Sequence, residues 1–395
     1  MKLLSISPFP WEPAFHGGQI RVQNIIETYR NFGINVRSIG ITPSSNYNDQ
    51  VGFVKFSEKF YEVTKDHPWE MGDFYLGEAF FREDDYFKTL FSQVKEDPEI
   101  VQVEHPWLFR AAKRYCQSCK STPKIIYSSH NVEYELKKDI LLLNNNLSST
   151  EIEEEVKKIR SLEEEAIYTS DFVIAVTERD QAWISSINPN SKVLLCPNGV
   201  RDFKNFYLQK NNNFFEGRYG IYCASGHSPN VDGLYQMFKK GLVGIRPEEK
   251  LIIVGGICES LMHDSRFDSI PNFRKRTILL GNVSEEALNE LIVNAHAVIL
   301  PLVIGGGSNL KTAEALVSGK WVVATECALR GMEKFRNSSG VLVATDGASF
   351  CRNLRFAMNS APLRLKPEEI INRSSLTWKN TLKELRHIVG KNYEN

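Results

Sequence analysis

The residues best placed to do chemistry lie in one stretch, Ile304-Gly-Gly-Gly-Ser-Asn-Leu-Lys-Thr-Ala-Glu-Ala-Leu-Val-Ser-Gly319. Consecutive glycines let a ligand approach the backbone closely. Ser308 then fills the N-cap position of a helix, whose free amides form a site for an anion. Lys311 falls in the first turn of that helix, where the dipole disfavours a cation by about 0.3–1 kcal/mol, and an anionic ligand would reverse the preference. Leu310, Ala313 and Val317 follow the i, i+3, i+7 rule, so Glu314 lies beside the inward face and needs a partner. The competing account is structural: a snorkelling lysine, and a glutamate paired with a neighbouring cation.

Elements must hold these groups. The apolar runs Ala297-Val-Ile-Leu-Pro301 and Lys320-Trp-Val-Val-Ala-Thr325 flank the stretch and read as buried parallel strands, with the helix as their crossover. Further strands are expected at Lys2–Ser7, Glu99–Glu104, Lys124–Ser129, Asp171–Val176, Lys192–Pro197, Gly220–Ala224, Lys250–Gly255 and Arg276–Gly281. Most are followed by a Gly or polar turn and a helical stretch, so two successive β/α arrays are expected. Ligands gather at the carboxyl ends of such strands. That rule selects His16-Gly17-Gly18 after the first strand, Glu104-His105 and His130-Asn131-Val132-Glu133 in the first array, and Ser225-Gly226-His227-Ser-Pro-Asn230, Gly255 and Gly281-Asn282-Val283 in the second.

The Gly305–Leu316 run, followed by Ser318-Gly-Lys and Val322-Val-Ala-Thr, resembles the donor-binding signature of the family 4 glycosyltransferases, which have the GT-B fold. The resemblance implies two Rossmann-like β/α/β domains facing a central cleft. It implies a domain of residues 1–200 on the acceptor side, with a C-terminal helix at 376–395 packing back on it, and a nucleotide-sugar domain of residues 201–375. Glu314 matches the second glutamate of the family's pair; the first would fall at Gly306, and Asn309 stands where one branch has a basic residue. By the same resemblance His130 contacts the transferred sugar, while Lys311 and Glu314 serve the diphosphate and the ribose. Gly17, Gly18, His227, Asn230, Gly255, Asn282, Val283, Gly306, Gly307, Ser308, Asn309 and Leu310 complete the donor-binding set, and His16, Glu104 and Asn131 stand on the acceptor side. The implied reaction is retaining transfer of a hexose from a nucleotide-diphosphate sugar, with UDP-glucose first and GDP-mannose second, to a glycan or lipid-linked acceptor of the exopolysaccharide type. No separate cofactor and no metal are expected, because the signatures include no Asp-x-Asp-type site.

Totals limit the alternatives. A chain of 395 residues normally makes two domains or one large one. Hydrophobic content of 42% is ordinary for a globular protein, and 48 basic against 48 acidic residues argue against a general nucleic-acid binder. Seven cysteines without regular spacing fit a reducing cytosol better than a disulfide framework, and Cys116-Gln-Ser-Cys119 lacks a second pair for zinc. The short apolar run before Pro8 reads as a strand and not a signal peptide, and no apolar segment reaches membrane-spanning length. The location expected is therefore cytoplasmic, with peripheral contact at the inner membrane face, as a monomer or weak dimer. The acidic run 151–165 reads as a solvated helix face, although a catalytic carboxylate could hide there. The aromatic segment 51–95 reads as the least regular part of the first half, mostly core, with an acceptor groove or membrane-facing patch as the alternative. A GT-B sugar epimerase and a catalytically silent partner subunit stay open. A nicotinamide dehydrogenase is disfavoured, since no Gly-x-Gly-x-x-Gly with a downstream acid appears in the first βα unit.

Overall fold

The computed structural model describes residues 1–14, 17–42, 52–55, 57–142, 147–202, 217–304 and 310–390. His16 and the Gly306, Gly307, Ser308 and Asn309 positions lie outside them. Two compact units divide the chain, Met1–Pro197 with Thr381–Asn395, and Asn198–Asn380.

In the first unit seven parallel strands, β1 (Lys2–Ser7), β2 (Asn35–Thr42), β3 (Phe53–Lys55), β4 (Ile100–Glu104), β5 (Lys124–Ser128), β6 (Phe172–Ala175) and β7 (Val193–Leu195), run in the order β3-β2-β1-β4-β5-β6-β7. Leu4, Ile6, Val101, Val103 and Tyr127 are fully withdrawn from water, because crossover helices cover a parallel sheet on both faces. The order reverses between β1 and β4. Crossovers leave these two strands toward opposite faces, and a crevice opens at their carboxyl ends.

The second unit repeats the plan with β8 (Tyr219–Cys223), β9 (Lys250–Val254), β10 (Thr277–Leu279), β11 (Ala297–Leu300), β12 (Trp321–Thr325) and β13 (Val341–Ala344), in the order β10-β9-β8-β11-β12-β13. Its reversal lies between β8 and β11. Val298 opposes Ile221 across that pair, and both are buried.

Several local expectations change. Segment 51–95 is not irregular: past β3 it forms helices at Ser57–Thr64, Gly72–Arg82 and Asp84–Phe91, in which Phe74, Phe80 and Phe91 are core while Tyr61 and Trp69 stand exposed. The helix Leu310–Val317 is turned from the expected face: Thr312, Ala313, Ala315 and Leu316 are buried, and Leu310 and Val317 only half-buried. Small residues let this short helix sit close to the sheet, so the buried stripe centres on them. In place of one C-terminal helix the chain makes short turns, Trp378–Thr381, Lys383–Leu385 and Arg386–Val389. Leu382, Leu385 and Ile388 are buried at a spacing of three, the period of a 3₁₀ turn.

Candidate active site

At the reversal point of the first sheet, the helix Gly17–Asn31 starts from the loop after β1, with Gly17 and Gly18 as its first residues. Across from it, β4 ends in Glu104 and β5 leads into His130. Tyr29 donates to Gln102 Oε1 at 2.7 Å, Gln102 donates to Glu104 Oε1 at 2.5 Å, and His130 Nε2 meets Glu104 Oε2 at 2.8 Å. Tyr29, Gln102 and Glu104 are fully buried, and His130 is 7% exposed. Arg21, also buried, places its charge within reach of Glu104. Burial acts against an ionised Glu104, but the hydrogen bond from His130, with the donor groups of Gln102 and Ser128, holds its carboxyl below the usual range. Burial, together with the charge of His105, drives His130 down to about 3 against the opposing pull of Glu104. The imidazole is therefore neutral. Its Nε2–H donates to the carboxylate and Nδ1 keeps a lone pair.

A second histidine stands beside the first. His105 stacks on His130 with ring centroids 4.0 Å apart, and its Nδ1 lies 2.8 Å from Glu133 Oε1. Its backbone has φ +61, a strained conformation for a non-glycine residue and one found preferentially at functional sites. Its Nε2 is buried without a partner among the described residues. Asn131 donates to Glu133 Oε1 at 3.2 Å, and its carbonyl accepts from Ser129 Oγ, so it braces the loop that presents His130. Glu163 fixes the same loop from below, accepting from the amides of Glu133 at 2.9 Å and Tyr134 at 2.8 Å, the first residues of the Glu133–Leu141 helix. It belongs to the acidic run expected to be solvated, yet it is fully buried, and burial pushes its carboxyl up to about 8.

At the reversal point of the second sheet the two crossovers meet. The helix Ser228–Phe238 follows β8, and Gly233 packs so near the end of β11 that a Cβ there would lie 2.0 Å from the Pro301 carbonyl oxygen. This close approach brings Asn230 to Lys311, whose Nζ donates to Asn230 Oδ1 at 3.0 Å. Asn230 is in turn held by its Nδ2 donating to Ser225 O at 2.9 Å and to Ser225 Oγ at 3.2 Å. Burial lowers Lys311, partly offset by Cys223 and Glu314. Burial raises Glu314, partly offset by Arg201 and Lys311. A buried cation in the first turn of a helix, where the dipole disfavours it, gains from a negative group brought to the same turn. Gly255, with φ +101, has the same kind of constraint as Gly233: a Cβ would meet Ala224 O at 2.3 Å. His227 contributes its carbonyl to the first turn of the Ser228–Phe238 helix and leaves its side chain exposed, as Asn282 also is, while Val283 is half-buried.

The structure thus gathers Glu104, His130 and Asn131 in the first unit, and Asn230, Lys311 and Glu314 in the second. It gives Asn230 a bond to Lys311, where the sequence suggested a ligand contact. The sequence places His105 and Glu133 at strand ends without assigning either a role, and it assigns no part to Glu163 in the first cluster or to Arg201 as a charge facing Glu314. The signal for Arg201 was its place just after the strand expected at Lys192–Pro197. Among the described residues no three His, Cys, Asp or Glu side chains gather at metal-binding spacing, and no helix is long and apolar enough to cross a membrane.

Residues 218–360 match the family model described as "Glycosyl transferases group 1". No curated protein matches the chain. Among solved structures, sucrose-phosphate synthase from Thermosynechococcus elongatus is similar with a TM-score of 0.62 at 12% identity, over 98% of both chains. WaaG, a glycosyltransferase involved in lipopolysaccharide biosynthesis, is similar with a TM-score of 0.60 at 15% identity, over 99% of this chain and 100% of its own. Anabaena HepE in complex with UDP is similar with a TM-score of 0.57 at 12% identity, over 98% of this chain and 99% of its own. At such identities the likeness establishes the fold, which is GT-B.

Proposed function

We propose that this chain, a glycosyltransferase of GT-B fold whose residues 218–360 match the group 1 glycosyl transferase model, moves a hexose from a nucleotide-diphosphate sugar to a hydroxyl of a lipid-linked or growing polysaccharide. UDP-glucose is the first candidate donor and GDP-mannose the second, and exopolysaccharide assembly at the inner face of a membrane is the setting. The observation that carries the reading is the bond from Lys311 to Asn230, formed where the two crossovers of the second sheet converge, with Glu314 one turn further on.

In this reading Lys311, with helix-start amides, takes the charge that builds on the departing diphosphate as the sugar becomes oxocarbenium-like. Glu314 accepts from the ribose hydroxyls. Neutral His130, held by Glu104, orients the sugar. The bond from the anomeric carbon to the diphosphate oxygen breaks, the acceptor oxygen bonds to that carbon on the same face, and the acceptor's proton passes to the leaving phosphate. Configuration is retained, and no divalent ion is required.

Calorimetric titration with UDP, GDP, ADP and NAD, repeated on Lys311→Ala, tests the donor site. Selective binding of one diphosphate that weakens in the variant supports the reading and names the base. Binding of NAD alone, or of nothing, removes it. For the first unit, His130→Ala should cut transfer by at least tenfold while nucleotide affinity stays within twofold, at the scale of losing one positioned contact.

A further inference from the structure

The donor cluster uses little of the second unit's positive charge. Six cations, Lys239, Lys240, Arg246, Arg276, Arg352 and Arg355, line two adjoining cavities of about 810 and 420 Å³ that share Lys240 and Arg355. None of these residues belongs to the Lys311 cluster. We propose that this groove, which runs between the helices Ser228–Phe238 and Gly347–Asn359, binds a phosphate-bearing anion presented either by a lipid headgroup or by a soluble phosphate ester.

Four features support the assignment. The chain as a whole has no net charge, so a local run of cations without ion pairs among the described residues is a concentration of charge that the rest of the molecule offsets elsewhere. The one acid of the lining, Asp346, caps the Gly347–Asn359 helix, where it accepts from the Ser349 amide at 2.7 Å and feels the charge of Arg352, so six cations face a single carboxylate. Two of the guanidiniums are fixed in advance: Arg276 NH1 donates to Ile245 O at 3.1 Å, and Arg355 Nε donates to Val243 O at 3.0 Å. These bonds leave NH1 of Arg355, and Nε and NH2 of Arg276, uncommitted, and fixed guanidinium donors suit phosphate oxygens. Finally, the helices approach closely, since a Cβ on Gly347 would lie 3.0 Å from the carbonyl oxygens of both Gln236 and Met237, so the groove is a built cavity and not a gap between loose side chains. Val243, an exposed large apolar residue, lines both cavities beside these arginines, which gives a headgroup-bearing surface something to meet besides charge.

The test uses the full chain carrying Lys311→Ala, so that the donor site does not compete for phosphate. Two probes are applied: inorganic pyrophosphate by calorimetry, and phosphatidylcholine vesicles with or without one part in three of phosphatidylglycerol by co-sedimentation. The combined substitution Lys239→Glu, Lys240→Glu, Arg352→Glu is compared, because none of these three side chains makes a hydrogen bond among the described residues. Binding of pyrophosphate assigns a soluble ester, and binding of the anionic vesicles alone assigns a headgroup. In either case the triple substitution should lower affinity about tenfold or more, with steep weakening in salt. If the triple glutamate chain melts early, the glutamine versions of the same positions replace it, with a smaller expected loss of about fivefold. The proposal is overturned if neither probe binds, or if the substituted chain binds as the parent does. UDP affinity of the triple variant with Lys311 intact should stay unchanged, which separates this groove from the donor site.

Discussion

Replacing Lys311 by alanine removes the cation whose hydrogen bond to Asn230 joins the two crossovers of the second sheet. A charge-assisted bond from a partly buried ammonium to a diphosphate contributes about 1.5–3 kcal/mol, and at about 1.4 kcal/mol per tenfold the dissociation constant of the nucleotide should rise roughly 10- to 150-fold. Asn230→Ala acts differently. Its Oδ1 accepts from Lys311 at 3.0 Å and its Nδ2 is spent on Ser225, so its influence on the ligand passes through Lys311. One such bond is worth about 1 kcal/mol net, or about a fivefold loss of affinity. In the double variant that loss should disappear, because there is no longer an ammonium to orient, and the coupling energy should equal nearly the whole effect of Asn230→Ala. Calorimetry of UDP or GDP on the four chains measures it. If Asn230→Ala weakens binding by the same factor in both backgrounds, Asn230 touches the ligand itself and the positioning argument fails. If Lys311→Ala binds as the parent does, the diphosphate lies elsewhere.

Nucleotide affinity should also peak with pH. Glu314 is raised above the ordinary carboxylate range, so acceptance from ribose hydroxyls strengthens as pH rises through its titration; Lys311 is lowered below the ordinary lysine range, so anion binding weakens as pH rises further. A monotonic profile from pH 5 to 10 would contradict both assignments. Stability should carry the mark of Glu163. Its folded pKa is about 8 against an ordinary 4.5, so the native state holds an extra proton between those values and stability falls as pH rises through that window, by up to about 5 kcal/mol at 1.36 kcal/mol per pH. Urea melts at pH 5 and 8 should show that fall in the parent and its loss in Glu163→Gln; equal slopes would show that Glu163 ionises normally. Gly233→Ala should destabilise the second unit by about 1–3 kcal/mol or more, since backbone must move to clear the Pro301 carbonyl, and a thermal melt matching the parent would refute the close approach.

Much of this was legible in the sequence because parallel strands buried on both faces write themselves as apolar runs. β1, β4, β5 and β8 were read that way, as were the crossover around Lys311 and the position of His130 after a strand. What escaped did so for physical reasons. β2 is exposed or half-exposed in its first half, so Asn35-Val-Arg-Ser does not look buried; only Ile39 to Thr42 are withdrawn from water. Helix turning could not be fixed for Leu310–Val317, because alanine and threonine bury as readily as leucine when a short helix lies close to a sheet. Glu163 looked like its six acidic neighbours in the run, and only its rotation toward the Glu133–Leu141 helix start distinguishes it. His105 carries no compositional signal at all, since its strained φ is a property of the turn it closes.

The two clusters are linked by the same topological cause. Each sheet reverses its order once near its middle, between β1 and β4 and between β8 and β11, and each cluster is built from the strand ends and crossovers that border the reversal. In the first unit the reversal brings a neutral histidine onto a buried carboxylate, which orients without charging the site. In the second it brings a buried, lowered lysine beside a raised glutamate, and under the proposed function that lysine meets the ligand's negative charge. Under that function, a neutral orienting group and an anion-seeking one would divide the work of a sugar diphosphate reaction, because the sugar gains positive character as the diphosphate gains negative. Exchanging the two chemistries would serve neither half: a cation at His130 would oppose the oxocarbenium-like centre, and a neutral group at Lys311 would leave the departing phosphate unsupported.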